Sequence, residues 1–351
     1  MSLQADVRLT RGRLRLGVKL SAQAGQIVAV LGPNGSGKTT LLHALAGLIR
    51  LQHGQIRVAG TRWDCSAENV WMPPERRRTG LVLADHLLFP HLSVIENVAF
   101  GPRSRGVPKA DARARARAEL DALGLGDRLE VRPRELSTGQ AQKVALARAL
   151  ATDPALLLLD EPLSALDPTT RAQTRADLGV RLRSFAGITI LVTHDPLDAL
   201  SLADRLVFID RGRVVQEGSP QEVTARPRDP YVAQVVGLNL LRGQRIDDQQ
   251  VDVAGTTIVA PEVPSCPAVC VTIPPSAVAL YRMRPHGSPR NTWPVTVSDM
   301  LLIGQTARVS LRGPFALVAE VTTAAVAELR LGVGQELWAT VKATEVRAYP
   351  A

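Results

Sequence analysis

One segment of the chain combines glycines, a lysine and hydroxyl side chains at a spacing suited to phosphate binding. Residues 32–39, read as Gly-Pro-Asn-Gly-Ser-Gly-Lys-Thr, match the pattern G-x-x-x-x-G-K-[ST]. The glycines let backbone N–H groups close round phosphate oxygens, and a helix beginning near Lys38 directs its positive end at them. Lys38 can reach the β- and γ-phosphates of a nucleotide, and the Thr39 hydroxyl can bind Mg²⁺. The predicted nucleotide-binding residues are Gly32, Pro33, Asn34, Gly35, Ser36, Gly37, Lys38, Thr39 and Thr40.

A second segment carries two carboxylates directly after an apolar run. Four leucines at residues 156–159 precede Asp160 and Glu161. A buried strand of this kind delivers its acidic residues to the carboxyl edge of a parallel sheet, where ligands bind in such folds. Asp160 is therefore predicted to hold Mg²⁺, through water, and Glu161 to polarise an attacking water molecule.

The elements that must position these groups are short buried strands that alternate with helices. Residues 27–31, 155–160 and 188–193 are continuous apolar runs, and each leads into a turn and a helix-like stretch. This alternation predicts an α/β domain with a mainly parallel sheet. Residues 86–150 are rich in Ala, Arg and Leu, which indicates a helical insertion.

Beyond about residue 240 the pattern changes to short alternating strands. Residues 241–351 alternate Val, Ile, Leu and Thr with polar residues and are interrupted by Pro and Gly, as in a small barrel or sandwich. We therefore expect one domain over residues 1–235, a linker with the first β segments over 236–286, and a small β-barrel over 287–351.

The charge balance is basic, with 42 Lys and Arg against 33 Asp and Glu, or +9. Such a balance invites a nucleic-acid interpretation. However, Arg113, Arg115 and Arg117 lie two residues apart and cannot share one face of a helix, so a solvated surface helix is favoured and no nucleic-acid partner is predicted. Cys266 and Cys270 have no second Cys or His pair nearby, which argues against a structural zinc site.

Three further motifs complete a pattern that resembles the nucleotide-binding subunits of ABC transporters over about the first 235 residues. Residues 136–140, Leu-Ser-Thr-Gly-Gln, resemble the signature motif ahead of a helix at 141–150, residues 164–167 resemble the D-loop, and His194 follows a buried strand as the switch histidine does. The resemblance implies an α/β P-loop ABC ATPase domain with a helical subdomain at about 86–150. It also implies ATP and Mg²⁺ as cofactors.

The resemblance further implies a partner and a mechanism. Two copies are expected to face each other head to tail, so that ATP bound by one copy contacts the signature motif of the other. Glu161 and His194 are then the catalytic residues, and Thr39 and Asp160 hold the metal. The residues expected to complete the nucleotide site across the dimer are Ser137, Gly139, Gln140 and Asp167.

Three positions depart from the family pattern. Ala84 stands where a glutamine normally contacts Mg²⁺ and the attacking water. Thr138 replaces the first signature glycine, and a β-branched residue is not expected to adopt positive φ. No aromatic residue precedes Trp63 to stack on adenine, and Arg11 or Arg13 is the suggested substitute.

The remaining segments point to an importer. Residues 87–101 resemble the part of importer ATPases that contacts the membrane subunit, although their apolar residues could equally be core of the helical insertion. Residues 287–351 resemble the small OB-like (Mop/TOBE) barrel of molybdate importer ATPases, which can hold an oxyanion. The implied partners are two permease subunits and an extracytoplasmic molybdate-binding protein, with the chain peripheral on the cytoplasmic face of the membrane.

Other functions remain open at this point. Sulfate, tungstate or another imported substrate could replace molybdate, and an oxyanion-binding regulator with an ATPase weakened around Ala84 is a further alternative. A soluble ABC ATPase acting on ribosomes or DNA usually carries two cassettes, whereas this sequence has one phosphate-binding pattern.

Overall fold

The apolar runs of the sequence form strands that are buried along their whole length. In the computed structural model, which describes residues 1–351, strands lie at Ile27–Leu31, Leu156–Asp160 and Ile188–Val192, and every residue in them is buried. The chain divides into two compact units, residues 1–223 and residues 224–351. The division falls earlier than residue 235, because the helix at Pro230–Val235 packs on the first strand of the second unit.

The first unit is built on one large sheet with helices. Its strands are β1 (Ser2–Arg11), β2 (Leu14–Gln23), β3 (Ile27–Leu31), β4 (His53–Val58), β5 (Thr61–Cys65), β6 (Val70–Trp71), β7 (Thr79–Val82), β8 (Leu156–Asp160), β9 (Ile188–Val192), β10 (Arg205–Asp210) and β11 (Arg213–Gly218). Its helices are α1 (Lys38–Ala46), α2 (Val94–Ser104), α3 (Lys109–Ala122), α4 (Thr138–Leu150), α5 (Pro168–Arg183) and α6 (Pro196–Leu202), and α7 (Pro220–Ala225) crosses the boundary.

The eleven strands pair in the order β6-β5-β4-β1-β2-β11-β10-β3-β9-β8-β7. The strands β10, β3, β9, β8 and β7 pair in parallel, which confirms the predicted α/β class. The strands β6, β5, β4, β1 and β2 pair antiparallel and form the antiparallel portion of the sheet. Because parallel strands end at the same edge of a sheet, the residues that follow β3, β8 and β9 are brought to one edge.

The helical insertion consists of α2, α3 and α4, which pack on one another. Helix α3 buries Ala112, Ala116 and Leu120 at four-residue spacing. Arg113 pairs with Glu96 and Glu130 of the same insertion. This arginine therefore contributes to the insertion's own ion pairs and forms no basic stripe with its neighbours.

The second unit is an all-β structure with two short helices. Its elements are α8 (Pro230–Val235), β12 (Asn239–Arg245), β13 (Gln250–Val253), β14 (Thr256–Val259), β15 (Ala268–Ile273), β16 (Ala279–Tyr281), β17 (Asn291–Ile303), β18 (Thr306–Arg312), β19 (Leu317–Thr322), α9 (Thr323–Leu329), β20 (Glu336–Val341) and β21 (Arg347–Pro350).

These strands form two five-stranded antiparallel sheets that share one apolar core. The orders are β14-β13-β12-β15-β21 and β16-β20-β17-β18-β19. Residues 236–286 supply five of the ten strands, so this segment belongs to the body of the unit rather than to a connection. No helix of either unit has the length and apolar composition that a membrane crossing requires.

A buried arginine joins the end of α1 to the antiparallel portion of the first unit. The Arg77 side chain is fully buried, and its guanidinium donates to the carbonyl oxygens of Ala44 and Leu45 at 2.9 Å and of Met72 at 2.8 Å. Its Nη2 lies 3.8 Å from Oδ2 of the equally buried Asp64. Burial lowers the pKa of Arg77 to about 10, and the Asp64 charge opposes that shift. The guanidinium thus satisfies the last carbonyls of α1, which a helix cannot satisfy internally.

Replacing Arg77 by Met should destabilise the protein strongly, because it leaves the buried Asp64 carboxylate without its counter-charge and the buried Leu45 carbonyl of α1 without its donor. We expect a loss of about 3–5 kcal/mol in the free energy of unfolding. Urea unfolding of the full chain, followed by tryptophan fluorescence, measures it.

The neighbouring Arg78→Met variant is the matched control. Arg78 pairs with Asp153 at 2.7 Å, but the two side chains are 56% and 83% exposed. We expect this variant to change stability by about 1 kcal/mol or less. Equal losses of unfolding free energy in the two variants would contradict the conclusion that burial makes the Arg77 contacts more important than the exposed Arg78 pair.

Candidate active site

The predicted phosphate-binding loop connects β3 to α1, and two of its glycines occupy positions where a side chain would be strained. A Cβ atom on Gly32 would lie 2.1 Å from the carbonyl oxygen of Ile209. Gly37 has φ 110°, and its Cβ would lie 2.8 Å from Cδ1 of Leu16. Gly37 is also the N-cap of α1 and offers no side chain to the first turn, so the N–H groups there stay available to an anion.

The Lys38 side chain folds back over the loop. It is buried, and its Nζ donates to the carbonyl oxygens of Gly32 at 2.8 Å and Pro33 at 3.1 Å. An ammonium has three N–H donors, so one stays free for a phosphate oxygen. Burial lowers the pKa of Lys38, while the nearby charges of Glu161 and Asp160 raise it and so favour the ammonium form.

The loop also holds a polar group without a partner. The Ser36 hydroxyl is buried and makes no hydrogen bond. Buried polar atoms are nearly always bonded, so this hydroxyl fits a donor to a phosphate oxygen. Asn34, Gly35 and Thr39 are exposed, Pro33 is half-buried and Thr40 is buried.

Asp160 at the end of β8 meets the hydroxyl of Thr39 at the start of α1. The Thr39 side chain is hydrogen-bonded to the Asp160 carboxylate. Burial raises the pKa of Asp160, and the Thr39 bond and the charges of His43 and Lys38 act against that rise. One hydroxyl and one carboxylate are the kind of incomplete oxygen set with which proteins hold Mg²⁺, since this ion keeps water and substrate phosphates as further ligands. The residues present therefore fit the metal predicted from the sequence.

Glu161 and His194 come together at the ends of the adjacent strands β8 and β9. Nδ1 of His194 lies 3.2 Å from Oε2 of Glu161, and both side chains are partly exposed. Glu161 has φ 49°, a strained value for a non-glycine residue. Its backbone N–H donates to the Val192 carbonyl at 2.9 Å, and Ser164 donates through N–H and Oγ to its carbonyl. Such strain, held in place by hydrogen bonds, is typical of functional sites.

The signature-like motif lies in the first turn of α4, and not ahead of a helix that begins at residue 141. The helix begins three residues earlier, since Ser137 and Gln140 cap it reciprocally. The Ser137 hydroxyl accepts from the Gln140 N–H at 3.3 Å, and the Gln140 side chain accepts from the Ser137 N–H at 3.0 Å. Thr138 is the first helical residue and has no positive φ, so a β-branched side chain is accommodated there.

Gly139 of the same turn packs against the start of α5. A Cβ on Gly139 would lie 3.3 Å from Cγ2 of Thr170. Asp167 caps α5 by accepting from the N–H groups of Thr169 at 3.2 Å and Thr170 at 3.1 Å. The Thr170 hydrogen bonds lower the pKa of the exposed Asp167. Within one chain, residues 137–140 make no hydrogen bond or ion pair with residues 32–40, so the structure gathers the predicted site residues into two groups.

The structure also locates the departures from the family pattern. Ala84 is exposed in the turn after β7, and it has no polar atom on its side chain. Arg11 and Arg13 are exposed at the β1–β2 hairpin. Leu14 and Leu16 of that hairpin, together with Ile209, lie against the loop glycines. Sequence reasoning did not identify these three neighbours, since they lie outside the loop and carry no motif.

A phosphate-binding loop between a strand and a helix, with carboxylates at the end of an adjacent parallel strand, defines the class of P-loop nucleotide-binding proteins. Residues 16–164 match the family described as ABC transporter, and residues 287–348 match the TOBE domain.

Known proteins match along almost the whole chain. The chain is 40% identical to the molybdenum import ATP-binding protein ModC of Mycobacterium tuberculosis (strain CDC 1551 / Oshkosh), over 96% of this chain and 95% of that protein. It is 38% identical to the sulfate/thiosulfate import ATP-binding protein CysA 2 of Chromobacterium violaceum, over 94% and 90% of the two chains. It is 31% identical to the molybdate/tungstate import ATP-binding protein WtpC of Pyrococcus horikoshii, over 95% of each.

A solved structure agrees with these matches. The dimeric ATP-binding cassette MJ0796, bound to ADP and Pi in a post-hydrolysis state, superimposes with a TM-score of 0.53 at 27% identity, covering 63% of this chain and 99% of that one. The chain therefore belongs to the ABC transporter family and is one of its ATP-hydrolysing subunits. The family and fold class inferred from the sequence motifs are confirmed.

Replacing Gly32 by Ala should weaken nucleotide binding by about tenfold or more, because the loop must shift to separate the new Cβ from the Ile209 carbonyl. Titration of the full chain with a fluorescent ATP analogue measures the affinity. Gly17→Ala is the control, since Gly17 has nothing within 4 Å of its Cβ position and no positive φ. A native affinity in Gly32→Ala would contradict the close approach described here.

Proposed function

We propose that this chain energises the import of molybdate, and that its two groups of site residues act together across a dimer of identical chains. The observation that carries the proposal is the end-to-end match to a molybdenum import ATP-binding protein, which covers both units. Relatives named for sulfate and tungstate import point to the same class of tetrahedral oxyanion at lower identity.

In the proposed mechanism, the loop residues bind the nucleotide phosphates. The Lys38 ammonium, the Ser36 hydroxyl and the first N–H groups of α1 face the bound β- and γ-phosphates, since all three are donors gathered at one helix start. Thr39 and Asp160 would hold Mg²⁺. The ion supplies charge neutralisation on the phosphates when bound.

Glu161 and His194 would act on the hydrolytic water and the γ-phosphate. Glu161 orients the water and accepts hydrogen bonds from it, in the way a positioning carboxylate does in phosphoryl transfer. Nδ1 of His194 faces the Glu161 carboxylate, to which it would donate its N–H, and in the imidazolium form Nε2 carries a second N–H that would donate to the γ-phosphate.

The second copy completes the site. Ser137, Gly139 and Gln140 lie at the N-terminal end of α4, where backbone N–H groups and the helix dipole favour an anion. We propose that this helix start meets the γ-phosphate bound by the partner chain. It lies near residues 161–167, here called the Asp167 segment, since Gly139 packs near Leu166. ATP then holds the dimer together, and hydrolysis releases it.

The proposed membrane partners are two permease subunits, which receive molybdate from an extracytoplasmic binding protein. Buried Asn97 shapes the segment that would contact them, because its side chain accepts from the Phe89 N–H and donates to the Phe89 carbonyl. Phe89 in turn packs on Phe100, which is 47% exposed, and Leu87 of the same segment is also exposed. A preformed apolar turn of this kind suits the end of a permease helix. The chain would thus be peripheral on the cytoplasmic face of the membrane.

The second unit offers one cavity suited to the proposed oxyanion role. A cavity of about 300 Å³ is lined by Ser276, Thr340 and Lys342, and Pro289 of the 287–291 segment borders it. Hydroxyl and ammonium groups suit a tetrahedral oxyanion. Glu345 also lines the cavity, and its carboxylate opposes an anion there.

Replacing Glu161 by Gln should stop hydrolysis while leaving ATP binding intact, because the amide keeps the size but not the charge of the carboxylate. We expect turnover to fall by about a hundredfold or more. The variant should elute as a dimer in size-exclusion chromatography with ATP and Mg²⁺. A Lys38→Ala variant should stay monomeric under the same conditions. A monomeric Glu161→Gln protein that retains ATP affinity would contradict the proposed dimer mechanism.

The substrate is tested by reconstitution with the permease pair and the binding protein of the same transporter. Proteoliposomes should take up labelled molybdate when ATP is enclosed with the subunit, and Lys38→Ala should abolish the uptake. Excess sulfate should compete poorly. Sulfate uptake without molybdate uptake would refute the proposed substrate and leave the ATPase assignment standing.

A further inference from the structure

One arginine connects the helix after the Asp167 segment to the turn that carries His194. Nη1 of Arg171, on α5, lies 3.1 Å from Oδ2 of Asp195, and its Nη2 donates to Oδ2 of Asp198 at 3.1 Å. The Arg171 and Asp195 side chains are 18% and 19% exposed, and that of Asp198 is 3% exposed. Because water is largely excluded, these charge-assisted contacts are stronger than those of an exposed pair.

The contact with Asp195 bears directly on His194, its neighbour in the chain. Oδ1 of Asp195 caps α6 by accepting from the N–H groups of Leu197 at 2.7 Å and Asp198 at 3.3 Å. The Asp195 N–H donates to the Thr193 hydroxyl at 3.0 Å. The Asp195 carboxylate therefore caps α6 with Oδ1 and pairs with Arg171 through Oδ2. Together with the bond to Thr193, these contacts fix the backbone on both sides of His194.

The other end of this connection is the Asp167 segment. The Arg171 N–H donates to the Asp167 carbonyl at 2.8 Å in the first turn of α5. This segment, residues 161–167, begins at Glu161, and the Ser164 hydroxyl donates to the Glu161 carbonyl. Arg171 thus joins the segment that starts at Glu161 to the segment that contains His194, independently of the contact between those two side chains.

We infer that Arg171 is a positioning residue for hydrolysis: it holds His194 in line with Glu161 and makes this alignment depend on the position of the Asp167 segment. The inference rests on the proposed roles of Glu161 and His194. Arg171 makes no hydrogen bond or ion pair with residues 32–40, so its effect should fall on the chemical step and not on nucleotide affinity.

The chain offers a matched control one turn further along the same helix. Arg175 donates through Nε to Oδ1 of Asp198 at 2.6 Å, and its side chain is 20% exposed. It is thus buried to a similar degree and pairs with the same Asp198, but it makes no ion pair with Asp195. Arg175→Gln therefore removes a comparable ion pair without loosening the turn at His194.

The experiment compares Arg171→Gln, Arg171→Lys and Arg175→Gln in the full chain, measuring kcat and KM for ATP together with thermal unfolding. In Arg171→Gln, kcat should fall about tenfold to a hundredfold, because a small misplacement of a catalytic group has effects of this size. KM and the affinity for a fluorescent ATP analogue should stay within about twofold of native. Arg171→Lys should recover part of kcat. Arg175→Gln should lower the unfolding temperature similarly but keep kcat within about twofold of native.

Equal losses of kcat in Arg171→Gln and Arg175→Gln, or a rise in KM without a fall in kcat, would overturn the inference. If Arg171→Gln does not fold, Asp195→Asn provides the same test, since the amide oxygen can still cap α6 while the charge facing Arg171 is lost. A native kcat in Asp195→Asn would equally overturn it. Absence of ATP hydrolysis by the native chain would instead refute the proposed function, so the two failures are distinguishable.

Discussion

The site depends on the parallel pairing of β3, β9 and β8. Parallel strands present their carboxyl ends at the same edge, and here those ends carry the phosphate-binding loop, the His194 turn and the Asp160 and Glu161 carboxylates. No single strand could assemble the site. The pairing is in turn stable because all three strands are buried along their whole length.

Burial also sets the charge balance at this edge. It lowers the pKa of Lys38 and raises that of Asp160, while each charge opposes the shift of the other. Lys38 and Asp160 therefore stabilise one another's ionised forms in a partly buried site. The same principle governs Arg77 and Asp64, a buried pair that stabilises the C-terminal end of α1, the helix whose N-terminal end follows the phosphate-binding loop.

The sequence predicts the candidate site best where its residues are contiguous. The loop at residues 32–39 and the acidic end of β8 are recognisable because the chemistry requires particular residue types at fixed neighbouring positions. The sequence pattern predicts the start of α4 three residues too late, because the reciprocal cap of Ser137 and Gln140 starts the helix at Thr138, ahead of its apolar residues. Thr138 is accommodated for the same reason, since a residue inside the first turn needs no positive φ.

The sequence by itself determined the class of site, the family and the order of the units, because these follow from local patterns. Only the tertiary structure decided how tightly the loop glycines are enclosed by Leu16 and Ile209, and that Arg171 holds the turn containing His194. The physical reason is that these contacts join residues far apart in the chain. Arginines and leucines are also common residue types, whose roles depend on what they face once the strands have paired.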